Sequence, residues 1–116
     1  MSAVPRTRAA AAVGERAAIF AALGDETRLR LVARLCDGGP MSIARLAERE
    51  PVTRQAVSKH LRALEDAGLI RSSRAGRERI WELQPARLEA VRRHLDEIAR
   101  QWDRAVERLR AMVEED

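Results

Sequence analysis

Apolar residues recur along this chain with a helical period over most of its length and with a two-residue period over one short stretch. Ile19, Phe20 and Leu23 stand among alanines in residues 15–23, which predicts a short helix able to approach its neighbours closely. Gly24 follows, where a left-handed C-terminal residue stops a helix. Asp25 is placed to cap a second helix, on which Leu29, Val32, Ala33 and Cys36 form one stripe flanked by Leu31 and Leu35. Asp37-Gly38-Gly39-Pro40 ends it with turn chemistry. Ser42 caps a short third helix with Ile43, Leu46 and Ala47 inward, closed by Pro51, because a residue before proline avoids helical geometry. Thr53 caps a fourth helix that runs to about Ala67 and stops at Gly68.

The period changes beyond Gly68. Residues 69–74 and 77–83 read as two extended segments joined by Ala75-Gly76. The second alternates, with Arg79, Trp81 and Leu83 on one face and Glu78, Ile80 and Glu82 on the other. Pro85 opens a last long helix at its first turn, where a missing N–H costs nothing. Its apolar residues recur at spacings of three and four: Leu88, Val91, Leu95, Ile98, Trp102, Ala105, Leu109 and Met112. Glu89 with Arg93 and Asp96 with Arg100 add oppositely charged pairs four apart. This order predicts a mainly α fold with a small β-hairpin wing, a winged helix-turn-helix. Residues 1–14, with Pro5 and an alanine run lacking a partner face, read as a disordered arm. Residues 15–84 form the domain, and residues 85–116 its C-terminal helix.

The 116 residues fit one domain, and only three aromatics (Phe20, Trp81 and Trp102) are available to fill it. Such a thin core favours completion by dimerisation. The net charge of +4 permits a nucleic-acid partner, and all but one of the 22 basic residues are arginine, Lys59 being the exception. The longest apolar run is the seven residues 17–23, far short of the roughly 20 of a bilayer span, so no membrane partner is expected. The run at Ala9–Val13 is too short for a secretory leader, and one cysteine excludes an internal disulfide, so a cytoplasmic protein is expected. Two histidines, one cysteine and no glycine-rich phosphate loop give no recognisable nucleophile–base pair, which argues against an enzyme.

The fourth helix carries the chemistry. With Val57 at the centre of its inner face and about 100° per residue, Leu61 and Leu64 also point inward. Gln55, Ser58, Lys59 and Arg62 then share the outer face, with Arg54 at its boundary. An amide, a hydroxyl, an ammonium and a guanidinium are the groups that read base edges in a major groove. A solvated amphipathic helix has the same outline, so the surroundings matter. Residues 53–83 carry seven basic and four acidic side chains, whereas residues 85–116 carry seven and eight. Arg74, Arg77 and Arg79 surround the hairpin tip, which suits contact with a phosphate backbone or minor groove.

Residues 53–69, TRQAVSKHLRALEDAGL, followed by RERIWEL at 77–83 and preceded by GDETRLRLVARL at 24–35, resemble the ArsR/SmtB family of winged-helix repressors. The segment from Gln101 to Met112 resembles a metal-free subgroup. The resemblance covers about residues 19–83 and implies a homodimeric DNA-binding repressor acting on an imperfect palindrome. It places the recognition helix at residues 53–67, with Gln55, Ser58 and Lys59 where the family contacts bases; Thr53, at the helix start, is also a candidate DNA-binding residue. His60 matches a common family histidine that either bonds a phosphate or buttresses the turn. Trp81 reads as packing.

No cofactor is expected. The third helix lacks the paired thiols of metal-sensing members, and His94 with Glu97 offers too few ligands for a transition metal, so His94 reads as a surface ion-pair residue. Cys36, on the apolar stripe, reads as a buried inert thiol rather than a redox sensor. Nothing identifies a small-molecule effector. The last helix is longer than one domain needs, and a Trp on its seam is costly to leave in water. Dimerisation is therefore expected through the first and last helices, at Ile19, Leu23, Leu95, Ile98, Trp102 and Leu109. The alternatives are a winged-helix protein-interaction module, or a metal- or redox-responsive variant of the same regulator. The polar outer face of the fourth helix disfavours the interaction module.

Overall fold

The computed structural model describes residues 8–115. Five helices and three strands follow in the order α1 (Arg8–Leu23), α2 (Glu26–Gly38), β1 (Met41–Ser42), α3 (Ile43–Ala47), α4 (Arg54–Asp66), β2 (Ile70–Ala75), β3 (Glu78–Leu83) and α5 (Pro85–Glu114). The three expected N-caps all form. Asp25 accepts from the Arg28 N–H at 3.0 Å, Ser42 from Arg45 at 3.2 Å and Thr53 from Ala56 at 3.1 Å. Pro85 sits in the first turn of α5.

Several expectations need correction. The arm ends early, because α1 begins at Arg8 and not at Glu15. Alanine has the strongest intrinsic helix preference, and one glycine costs only about 1 kcal/mol inside such a run. The first seven residues lie outside the described ones. Gly24 is not left-handed; the glycines with positive φ are Gly39, Gly68 and Gly76. α2 is also rotated from the expected stripe: Leu31, Val32 and Leu35 face the core, while Leu29 and Cys36 are exposed. The leucines and the valine carry the burial, and Cys36 is left outside. Arg100 pairs with Glu97 at 3.1 Å rather than with Asp96. The hairpin turn falls one residue later, since Ala75 still pairs with Glu78. Positive φ at Gly76 alone is the pattern of a type II′ turn.

The hairpin belongs to a three-stranded antiparallel sheet of order β1-β3-β2, with Met41 opposite Trp81 and Ser72 opposite Trp81 from the other side. β1 is too short to show a period, so it is invisible in the sequence. One apolar core joins Ile19 of α1, Leu31 and Leu35 of α2, Leu46 of α3, Val57, Leu61 and Leu64 of α4, Leu69, Ile70 and Trp81 around the sheet, and Val91 of α5. Trp81 is buried, as its packing role requires, yet among the described residues its indole Nε1 has no hydrogen-bond partner. No described helix is long and apolar enough to cross a membrane.

The end of α4 fixes where the wing begins. Gly68 donates to Glu65 O at 2.9 Å and Leu69 to Leu64 O at 3.0 Å, with Gly68 at φ 80°. This is a Schellman closure, and its two flanking apolar residues, Leu64 and Leu69, are both fully buried. A β-carbon on Gly68 would stand 2.9 Å from Nε and 3.2 Å from Cγ of Arg87, so that side chain would have to shift. The backbone is the stronger constraint. Gly68→Ala is expected to destabilise the fold by about 1–2 kcal/mol, the cost of a left-handed L-residue, read from the midpoint of urea unfolding.

Candidate nucleic-acid interface

Two arginines of α2, one helical turn apart, set the position of the helix-turn-helix. The Arg30 guanidinium donates to Glu50 with Nε at 3.1 Å and lies 3.0 Å from it through Nη2. Glu50 sits in the turn between α3 and α4, and its side chain is 1% exposed. Arg30 also meets Glu26 at 2.9 Å and Thr27 Oγ1 at 3.1 Å. The hydrogen bond to Glu50 is the main cause that raises the Arg30 pKa further, with burial opposing it and the attraction of that carboxylate adding to it. Arg34 donates to the carbonyls of Leu46 at 2.7 Å and Arg45 at 3.1 Å, satisfying the open end of the short α3. The sequence gives little sign of these roles, because arginine is so common here that two more on a helix carry no signal.

With α3 and the turn fixed, α4 presents the expected face. Val57, Leu61 and Leu64 are buried, while Gln55, Lys59 and Arg62 are exposed and Ser58 is half-buried. Thr53 and Arg54 are exposed at its start. Between α4 and the wing lies a concavity of about 470 Å³, lined by Ser58 and Arg62 of α4, Arg79 and Trp81 of β3, and Glu65, Asp66 and Ile43. A second hollow of about 220 Å³ continues it past Arg54, Arg77 and Arg79 to the start of α3. The structure therefore brings Arg54, Ser58, Arg62, Arg77 and Arg79 to one surface.

The wing carries its charge against a local cost. Arg71 and Glu82 are directly opposite and paired at 2.7 Å, a favourable arrangement. Arg74 and Arg79 are also directly opposite, which is destabilising for like charges. Arg74, Arg77 and Arg79 are all exposed.

His60 stands apart from this surface. Its Nδ1 is 3.7 Å from Asp25 Oδ2, at the cap of α2. His94 forms no ion pair among the described residues; its ring lies 5.8 Å from that of Phe20 on α1. Among the described residues, no group of three or more His, Cys, Asp or Glu side chains could hold a metal ion.

Residues 23–73 match a helix-turn-helix domain family. The HTH-type transcriptional regulator Rv2034 of Mycobacterium tuberculosis is 44% identical over 85 residues, spanning 73% of this chain and 76% of the relative. An ArsR-like transcriptional regulator from Rhodococcus sp. RHA1 superposes with a TM-score of 0.75 at 38% identity, over 88% of this chain and 95% of that one. The chain belongs to the ArsR family of winged helix-turn-helix transcriptional regulators. A homodimeric winged helix-turn-helix domain from Mycobacterium bovis shares the fold, with a TM-score of 0.66 at 21% identity over 86% of this chain and 91% of that one. In this ArsR-family chain, α3 and α4 are the helix-turn-helix and β2–β3 the wing. It is a DNA-binding regulator and not an enzyme.

Asp25 ties the stability of the fold to pH. Its carboxyl is held below the usual carboxylate value of 3.8, chiefly by the Arg28 N–H, with burial opposing and His60 adding attraction. A depressed carboxylate contributes stability that is complete above its unfolded pKa and lost as pH falls through the folded one. Asparagine caps helices as well as aspartate without titrating. Asp25→Asn is expected to match the wild type near about pH 7 and to lose less stability than it by about pH 3, measured by urea unfolding at both values.

Proposed function

We propose that this chain is a homodimeric repressor that reads an imperfect palindrome with two copies of α4. The observation that carries the reading is the outward face of Gln55, Ser58, Lys59 and Arg62, flanked by the arginines of the wing. Gln pairs with adenine and Arg or Lys with guanine through two hydrogen bonds, while Ser serves several bases. Thr53 and Arg54, at the start of α4, and Arg74, Arg77 and Arg79, on the wing, supply phosphate contacts that fix register without reading sequence. Occupying the operator excludes polymerase from overlapping DNA.

The dimer reading rests on α5. Beyond Val91 none of its residues is buried, and Trp102 is 69% and Leu109 66% exposed. The radius of gyration, 19.1 Å, far exceeds the roughly 13 Å of a compact chain of this length. A helix projecting from the body with Leu95, Ile98, Trp102 and Leu109 on one seam is half of an interface. The homodimeric state of the Mycobacterium bovis domain agrees. Ile19 does not join this surface: it is 1% exposed, because α1 packs inward on its own domain. Leu23 is half-buried against the same core.

Two measurements test the proposal. Duplexes selected by the wild type from random DNA, at stated salt, should share an inverted repeat with half-sites about 10 base pairs apart. Replacing Gln55, Ser58 and Arg62 together by Ala should abolish discrimination while leaving salt-sensitive weak binding, and retention of full discrimination overturns the readout face. In sedimentation velocity the wild type should be a dimer at micromolar concentration, and Trp102→Glu with Leu109→Glu a folded monomer. A wild-type monomer overturns the dimer.

A further inference from the structure

The wing contains a hydrogen-bonded relay that the DNA-binding reading does not use. Ser72 on β2 donates its hydroxyl proton to Glu65 Oε2 at 3.1 Å. Glu65 lies in the last turn of α4. The same Ser72 oxygen accepts from Arg79 Nη1 at 3.2 Å. The direction of the relay is forced, because an ionised carboxylate only accepts, a guanidinium only donates, and a hydroxyl does both.

The strand register shows why Arg79 takes this position. Its direct partner across the hairpin is Arg74, a like charge, whereas Ser72 is its diagonal neighbour on the same face. Arg79 leans along the diagonal, away from Arg74 and toward α4. It then borders both hollows between the recognition helix and the wing. Among the described residues, its Nε and Nη2 make no hydrogen bond, so two edges of the fork stay open to an incoming acceptor.

We propose that Ser72, anchored by Glu65, is a positioning residue that holds Arg79 in its phosphate-binding orientation before DNA arrives. This rests on the reading of the wing as a phosphate contact. A free arginine samples many rotamers, and freezing one on binding costs affinity that a pre-ordered side chain keeps. The hydroxyl at position 72 therefore strengthens binding without touching DNA, and it does so equally for every sequence.

The test is a double-mutant cycle on the full chain. Dissociation constants are measured by fluorescence anisotropy over a salt series, on a wild-type-selected duplex and on an unrelated duplex. Arg79→Ala should weaken both complexes and lower the salt slope by about 0.9 for each lost phosphate contact. Ser72→Ala should weaken both by about 2- to 10-fold with the salt slope unchanged. Ser72→Thr, which keeps the hydroxyl, should bind as the wild type does. In the Arg79→Ala background, Ser72→Ala should have no further effect. The positioning role is overturned if Ser72→Ala binds as the wild type does, or if it weakens binding equally in both backgrounds, as a general loosening of the wing would. If Arg79→Ala changes neither affinity nor slope, the wing does not contact phosphate and the positioning role falls with it.

Discussion

The Arg30–Glu50 contact is the constraint on which the DNA-facing geometry depends. Glu50 is buried in the turn between the two helices of the motif, where an unpaired carboxylate is costly. Arg30 can satisfy it only if α2 and the turn keep one relative position. Arg34, one turn along, holds the carbonyl end of a five-residue α3 that is too short to be stable by itself. Together they make α2 the scaffold of a motif whose functional surface is contributed entirely by other elements. α4 inherits its orientation from that scaffold, and the Schellman closure at Gly68 passes it on to the wing.

Much of this was legible in the chain. Val57, Leu61 and Leu64 define the inner face of α4 by spacing alone, and the polar face follows from them. Asp25, Ser42, Thr53 and Pro85 mark their helix starts because local backbone hydrogen bonding decides a helix terminus. What was not legible depends on partners distant in sequence. β1 is two residues long and exists only because β3 lies beside it. The rotation of α2 could not be read from a stripe that counted Cys36 as strongly as Leu31. Ile19 resembled an interface residue because the sequence does not say which side of α1 meets its own domain. The Ser72 relay joins a helix end to two strands, and no spacing rule anticipates it.

Charge and shape divide the molecule into two ends with different physics. The wing end gathers arginines against their mutual repulsion, at Arg74 and Arg79 most plainly. The α5 end carries pairs such as Arg100–Glu97 and a seam of large apolar side chains exposed in the isolated chain. In the proposed function the first attracts a polyanion at long range, and the second attracts an apolar surface at contact.

The near-exclusive use of arginine at the wing has its own consequence. Guanidinium groups stay protonated throughout the biological range, and the one histidine of α4 is turned toward a helix cap instead of outward. On the proposed reading of the wing as a phosphate contact, its pull is governed by the ions around it, whose screening shortens its reach as they become more concentrated. On that reading the wing's hold on DNA follows the ionic strength of its surroundings, and its guanidiniums add no response to acidity within the biological range.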